Sequence, residues 1–407
     1  MKILYDYQIF DMHQFGGISR YFVELISQFE KDNAIDWELP VIYSNNEYLK
    51  GMASFKKKLL PKPRLHDHYA NFLWGLQFRG KGLLYNLKNK VFPLSSPSWQ
   101  TEKNKAFSIK KIKEGAFDIF HPTYYDDYFL EFIGEKPYVL TVYDLIHQIF
   151  PEFLLYDRMD KNKEMLQRSE RIFAISENTK HDLVTIFGID EHKVTVTHLA
   201  GSINLDSAIV QLSFRDQLPQ RFLLFIGNRE GYKNFYFFVQ AFAIIAEREK
   251  DLCIVCTGPL FTQTELYYFN KLGIRDRLYH FYVDDDKLLY LYQHAVAFIF
   301  PSQYEGFGLP VLEAFGCGCP VLVSNTSSLP EVGGEAVIYF EPKKISSLIR
   351  ALNIILDKKE TREGLIAKGY CQLKKFSWQK TATITKEIYS RILAERKGGG
   401  LMKTGPH

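Results

Sequence analysis

Cysteine is scarce, with five in 407 residues at positions 253, 256, 317, 319 and 371. A small, odd number excludes the disulfide scaffold of a secreted mini-domain. Cys253 and Cys256 lie three apart in an apolar run that reads as a strand. Their side chains then face opposite sides of a sheet, which makes a poor zinc or redox pair. All five are expected to be reduced thiols in a cytoplasmic protein. Net charge is small too: 51 Lys and Arg against 47 Asp and Glu give +4, too little by itself to argue nucleic-acid binding. No apolar run approaches the ~18 residues of a membrane-spanning helix. The opening Met1-Lys2-Ile3-Leu4-Tyr5-Asp6 lacks the apolar core and cleavage site of a signal peptide. The expectation is a protein that does not cross a membrane.

What is present is an ordinary globular composition, 46% hydrophobic and 24% charged, with 33 Phe and 25 Tyr. The length suits two or three domains with sizeable cores. Charge is unevenly placed. Between Lys50 and Lys113 there are 15 Lys or Arg against only Asp67 and Glu102, a local excess of +13. Phe55, Phe72, Trp74, Phe78, Phe92 and Trp99 are interleaved with these cations. A solvated basic face is the bland account. The sharper one is a surface for anionic lipid, with basic residues held electrostatically and aromatics at the interface. Single-stranded nucleic acid ranks third, because no nucleic-acid-binding motif accompanies the stretch, and no nucleic-acid partner is expected.

Short apolar runs alternate with amphipathic segments along the chain. After a first strand at Lys2–Tyr5 and a Gly16-Gly17 loop, Ile18, Phe22, Leu25, Ile26 and Phe29 share a helical face. Strands are expected at Tyr138–Tyr143, Arg171–Ile175, Val194–Thr197, Phe222–Ile226, Leu252–Cys256, Leu278–Tyr282, Val296–Phe300, Val321–Ser324 and Val337–Phe340. Their near-continuous hydrophobicity suits parallel strands covered on both faces, with the intervening helices as crossovers. The fold class is α/β, with two doubly wound Rossmann-like domains facing a central cleft. The boundaries are an N-terminal domain at 1–205 with a basic insertion at about 44–113, a C-terminal domain at 206–377, a closing helix at 378–397, and an unpatterned tail at 398–407 expected to be disordered. Ligands of such sheets bind outside the carboxyl ends of the strands.

The most informative loop runs from Phe300 through Glu305-Gly306-Phe307-Gly308-Leu309-Pro310 to Glu313. Pro310 suits the start of a helix that ends by Gly316 or Gly318. Gly306 and Gly308 leave amides open at the positive end of that helix, a cradle for a diphosphate. Glu313, one turn in, can accept hydrogen bonds from vicinal hydroxyls such as those of a ribose. A glycine-rich turn with one capping and one solvated glutamate would read similarly, but two carboxylates spaced around such a turn are far more specific. Asp284-Asp285-Asp286 resembles a metal-binding run. It also precedes an amphipathic helix, where acidic residues belong, and no metal is expected.

The segment Glu305 to Glu313 resembles the paired-glutamate motif of the family 4 retaining glycosyltransferases (glycosyl transferases group 1), which have the GT-B fold. Gly16-Gly17-Ile18-Ser19-Arg20-Tyr21 resembles the first glycine loop of that family. Ile175-Ser176-Glu177-Asn178-Thr179 is similar to its Ser-containing strand end, Gly227 through Lys233-Asn234 to its phosphate-contacting segment, and Phe376-Ser377-Trp378 to the start of its closing helix.

The resemblance implies roles. Gly16 and Gly17 would admit the distal phosphate; Gly227, Arg229 and Lys233 would meet the diphosphate, Lys233 neutralising it as it leaves. The backbone of Gly306, Phe307, Gly308 and Leu309 would hold the same group, Glu313 the ribose, and Glu305 the donor sugar. His121 matches a family histidine near the reacting sugar, although a core histidine would read the same. Asp144 falls where relatives bind acceptor. Many relatives have Arg directly after the glycine, where this chain has Asn228.

The expected function is therefore metal-independent, retaining transfer of a sugar from a nucleotide diphosphate sugar to a glycan or lipid-linked glycan in surface polysaccharide biosynthesis. No cofactor is implied, and GDP-mannose is the first guess for the donor because the first loop resembles that of bacterial mannosyltransferases. The expected place is the cytoplasm, peripheral on the inner face of the membrane through residues 50–113. Alternatives are a catalytically silent nucleotide- or sugar-binding protein of this fold and an NAD-dependent oxidoreductase. The latter would want a Gly-x-Gly-x-x-Gly spacing that Phe15–Arg20 lacks.

Overall fold

The computed structural model describes residues 1–32, 35–55, 59–61, 99–153, 163–201, 212–229 and 231–401, the last four in backbone only. The chain forms two compact units, one of Met1–Thr141, Asn162–Ile172 and Ala382–His407, the other of Val142–Lys161 and Phe173–Thr381. Most of the basic insertion, including Phe72, Trp74, Phe78 and Phe92, lies outside the described residues.

In the first unit, strands β1 (Lys2–Leu4), β2 (Asp36–Glu38) and β3 (Ile119–Phe120) form a parallel sheet in the order β2-β1-β3. Asp36-Trp37-Glu38 has no apolar run, and neither this short edge strand nor the two-residue β3 is among the strands that hydrophobic patterning predicts. The helix Gly17–Phe29 buries Tyr21, Phe22, Leu25, Ile26 and Phe29. Tyr21 takes the place expected of Ile18, which is half-buried. The helix Trp99–Glu114 instead buries a stripe of Gln100, Asn104, Ser108 and Ile112. Within that stripe Asn104 is well paired: it accepts the amides of Ile42 and Tyr43 at 3.0 Å and donates to Asp11 at 2.8 Å.

Strands β4 (Val139–Val142), β5 (Arg171–Ala174) and β6 (Val194–Val196) form a further sheet in that order, and the division between the units falls within β4 and β5. The closing helix Trp378–Leu401 belongs to the first unit from Ala382 onward and runs past Lys397, where the sequence pattern fades.

The second unit is built on six strands: β7 (Arg221–Phe225), β8 (Leu252–Cys256), β9 (Leu278–His280), β10 (Ala297–Phe300), β11 (Val321–Ser324) and β12 (Ile338–Phe340). All pairs are parallel, in the order β12-β11-β10-β7-β8-β9. Order reverses between β7 and β10, the switch point at which such sheets bind ligands. Phe225, Phe235, Phe238, Phe242, Ile254 and Leu352 are 1% exposed or less and fill one face. Burial on this scale stabilises by ~1.5–3 kcal/mol per large side chain. Among the described residues no helix is long and apolar enough to cross a membrane.

Candidate functional site

The parallel arrangement sends the carboxyl ends of β7, β8, β10 and β11 to one edge of the second sheet, so their loops meet there. From β7 the chain turns through Gly227, at φ 100°, and a single turn Gly231–Lys233. Gly258, after β8, packs on it so closely that a Cβ at 258 would lie 2.5 Å from Gly227 O. From β10 the chain enters Pro301–Gly308, then the helix Leu309–Gly316 with Pro310 in its first turn. Gly308 adopts φ 116°, a conformation that only glycine takes readily.

Lys233 Nζ donates to Glu305 Oε1 at 2.7 Å, and both side chains are largely buried. Burial alone would lower the Lys233 ammonium, but Glu305 more than offsets it and holds it above the usual range. Asp144 belongs to the same charged group. Gly306 sits so tightly on its backbone that a Cβ at 306 would lie 2.0 Å from Tyr143 O and 2.9 Å from Asp144 Cβ. The Asp144 carboxyl is raised, chiefly by burial and further by Glu305, with His147 and Lys233 opposing. Glu313 projects from the helix to within 3.2 Å of Tyr292 OH, which also reaches Pro310 O at 3.2 Å. The edge thus offers the Lys233 ammonium, amides at a helix start, and carboxylates on either side. That arrangement can hold an anion and hydrogen-bond polyhydroxylated groups around it.

Several residues hold this loop, of which only Ser176 and Thr179 belong to a segment singled out from sequence. Ser327 Oγ accepts Glu305 N at 2.9 Å, and Ser328 Oγ lies 2.8 Å from Glu305 O. Tyr304 OH donates to Asp182 at 2.6 Å, and Thr179, bonded to the capping side chain of Ser176, reaches Gly306 O at 3.4 Å.

Arg229 is placed differently from expectation. It is 3% exposed, with Nε 2.7 Å from Glu265 Oε1 and its other nitrogens on Pro259 O and Leu260 O. In this conformation its donors are committed to the loop after β8. Glu265 is also the third helical residue of a capping box with Thr262. Burial would raise its carboxyl, but Arg229 and Thr262 hold it below the usual range. The Thr-x-x-Glu spacing was the available signal.

Gly16, Gly17 and His121 lie in the first unit. Gly16 precedes the helix that Gly17 starts, leaving its first amides without intrahelical partners. His121 is fully buried. Nδ1 meets Tyr389 OH at 2.6 Å and Nε2 meets Thr141 Oγ1 at 2.8 Å, between the rings of Tyr5 and Phe22. Burial lowers its pKa to about 3, so the ring is neutral. As folded, it presents no edge to a ligand and reads as a core histidine. Asp284 caps the helix Asp285–His294, accepting Lys287 N at 3.0 Å. Among the described residues no group of three or more His, Cys, Asp or Glu is arranged to hold a metal ion.

Residues 213–372, which carry every element of this edge except Asp144, match the family glycosyl transferases group 1. The O-antigen chain mannosyltransferase B of Escherichia coli is 28% identical over 394 residues, covering 92% of this chain and 96% of its own. Among solved structures, sucrose-phosphate synthase of Thermosynechococcus elongatus superposes with a TM-score of 0.71 at 18% identity, over 97% of this chain and 100% of that one. Anabaena HepE, solved in complex with UDP and glucose, does so with a TM-score of 0.67 at 16% identity, over 96% and 99%. The chain has the GT-B fold of these solved structures, and its residues 213–372 form a glycosyl transferases group 1 domain.

Proposed function

We propose that the chain is a retaining transferase that moves mannose from GDP-mannose to a hydroxyl of a glycan or lipid-linked glycan in surface polysaccharide biosynthesis. The observation that carries this reading is the Lys233–Glu305 pair, 2.7 Å apart beside the start of the Leu309–Gly316 helix. The 28% identity to an O-antigen mannosyltransferase along nearly the whole chain supports the choice of sugar.

In this mechanism Lys233 turns from Glu305 to the diphosphate. The amides of Gly306–Leu309 hold the diphosphate from the other side, with Gly227 close by. Glu313 takes the ribose hydroxyls, Glu305 the donor sugar, and the Gly16-Gly17 loop the distal phosphate. The bond between the anomeric carbon and the phosphate oxygen breaks as the acceptor oxygen attacks the same face. The acceptor proton passes to the departing diphosphate, so no enzyme nucleophile and no metal are called for. Charge grows on the diphosphate as the bond breaks, and a fixed cation and helix amides lower that barrier. Asp144 takes an acceptor hydroxyl, a role its nearness to Glu305 supports. Arg229 supports the loop after β8, and His121 orders the first unit.

We further assign residues 50–113 to an anionic membrane surface on the cytoplasmic side. The local charge excess supports this, as does Trp99, which stands 57% exposed at the start of a lysine-rich helix. The test of the reaction is incubation with GDP-mannose and a mannose-terminated acceptor, followed by product NMR. An axial-configuration product, matching the donor, is expected. Inversion, or transfer only from another sugar nucleotide, would overturn the mechanism or the donor respectively.

A further inference from the structure

The backbone pairing of β10 with β11 stops at Phe300 and Val323, yet the two chains stay joined beyond it. Thr326 Oγ1 donates to Gln303 O at 3.0 Å and Ser327 Oγ accepts Glu305 N at 2.9 Å. Ser328 Oγ lies 2.8 Å from Glu305 O and 2.7 Å from Phe307 O, so its one proton is shared between them. Three successive hydroxyls therefore reach residues 303, 305 and 307, alternate positions of the opposite chain. They extend the ladder by side chains where the loop leaves strand geometry. The other flank of the loop is held from the turn after β7: Gln303 N donates to Tyr232 O at 2.7 Å, and Asn234 Nδ2 to Pro301 O at 3.1 Å.

The backbone supports the same point. Among the described residues, the non-glycine residues at positive φ are Asn234 (59°) and Ser327 (50°), and both brace this loop. Asparagine visits that region readily. Serine does so at a cost, and such outliers persist where surrounding structure requires them.

We propose that Ser327 and Ser328 are positioning residues for the transfer reaction. Their hydroxyls fix the main chain on both sides of Glu305 and so aim its carboxylate. Ser328 is wholly buried and acts only through that main chain. The inference rests on the reading of Glu305 as the residue facing the donor sugar.

The discriminating variant is Ser327→Gly, which suits a positive φ but has no hydroxyl. It is compared with Ser327→Asn, which tolerates that φ and keeps an acceptor, and with Ser328→Ala. Hydrogen exchange over residues 303–308, melting temperature, and GDP release from GDP-mannose are read on the full chain. Ser327→Gly is expected to melt within a few degrees of wild type. Exchange should rise about ten-fold, and kcat should fall ten-fold or more with KM for the donor within about three-fold, the signature of a misplaced group. Ser327→Asn should recover most of the kcat, and Ser328→Ala should follow Ser327→Gly. Wild-type exchange and wild-type kcat in Ser327→Gly would overturn the proposal. No GDP release by the unaltered chain would overturn the functional reading instead, and exchange alone would then decide whether the hydroxyls hold the loop.

Discussion

Lys233 and Glu305 form a largely buried charge pair, so Lys233→Ala is expected to act on the reaction and, by leaving Glu305 unpaired, on the fold as well. Transfer is expected to fall about 10²–10³-fold, the scale of losing a transition-state donor, beyond any loss of folded protein read by circular dichroism. Arg229 should act on the fold alone. Arg229→Ala strands Glu265 in a buried site and is expected to cost about 3–5 kcal/mol, readable by urea denaturation. His121 gives a pH test. Its folded pKa of about 3 lies below that of an unfolded histidine, so the unfolded chain binds the additional proton. The neutral ring's contribution is whole above pH ~6.5 and is lost as pH falls toward 3. Between pH 7 and 5 it should cost ~2 kcal/mol, and His121→Gln should flatten that part of the slope. These two residues also mark where local sequence misleads. Arg229 stands four residues from Lys233, and only the fold brings Glu265, 36 positions on, to claim it. His121 follows a strand in either reading, and what decides its burial includes Tyr389, 268 positions away.

At the scale of the element, the strand–loop–helix from Ala297 to Gly316 carries the loop proposed to meet the donor. Its strand end, glycines and Pro310 are local signals, which is why the turn from strand to helix was legible in the sequence. What could not be read is what braces it. Ser327 and Ser328 are common residue types about 20 positions downstream, and nothing in their spacing marks hydroxyls that reach back to another loop. Gly306 offers a sharp test at this scale. A methyl there would meet Tyr143 O at 2.0 Å, and backbone cannot yield as a flexible side chain does. Gly306→Ala is expected to lower the melting temperature by several degrees, consistent with ~1–3 kcal/mol of overpacking, and to abolish transfer. Strands show the same division. The apolar strands of the second sheet were evident as hydrophobic runs, whereas Asp36–Glu38, short and bearing two carboxylates, was not.

Across the whole molecule, the residues proposed to meet the diphosphate, ribose and donor sugar, Gly227, Lys233 and Glu305–Glu313, lie within the second unit. The account accordingly places most of the donor's polar contacts in residues 213–372, the segment matched by the family. The most direct test is a thermal-shift titration of the full chain and of Glu313→Ala with GDP, UDP, ADP, CMP and NAD, each with and without magnesium. A ligand at 100-fold over its dissociation constant adds ~2.7 kcal/mol, several degrees for a chain of this size. The account expects GDP to shift the full chain independently of magnesium, and Glu313→Ala to fold normally and show no such shift. Equal shifts in both proteins, or a shift by NAD alone, would contradict it.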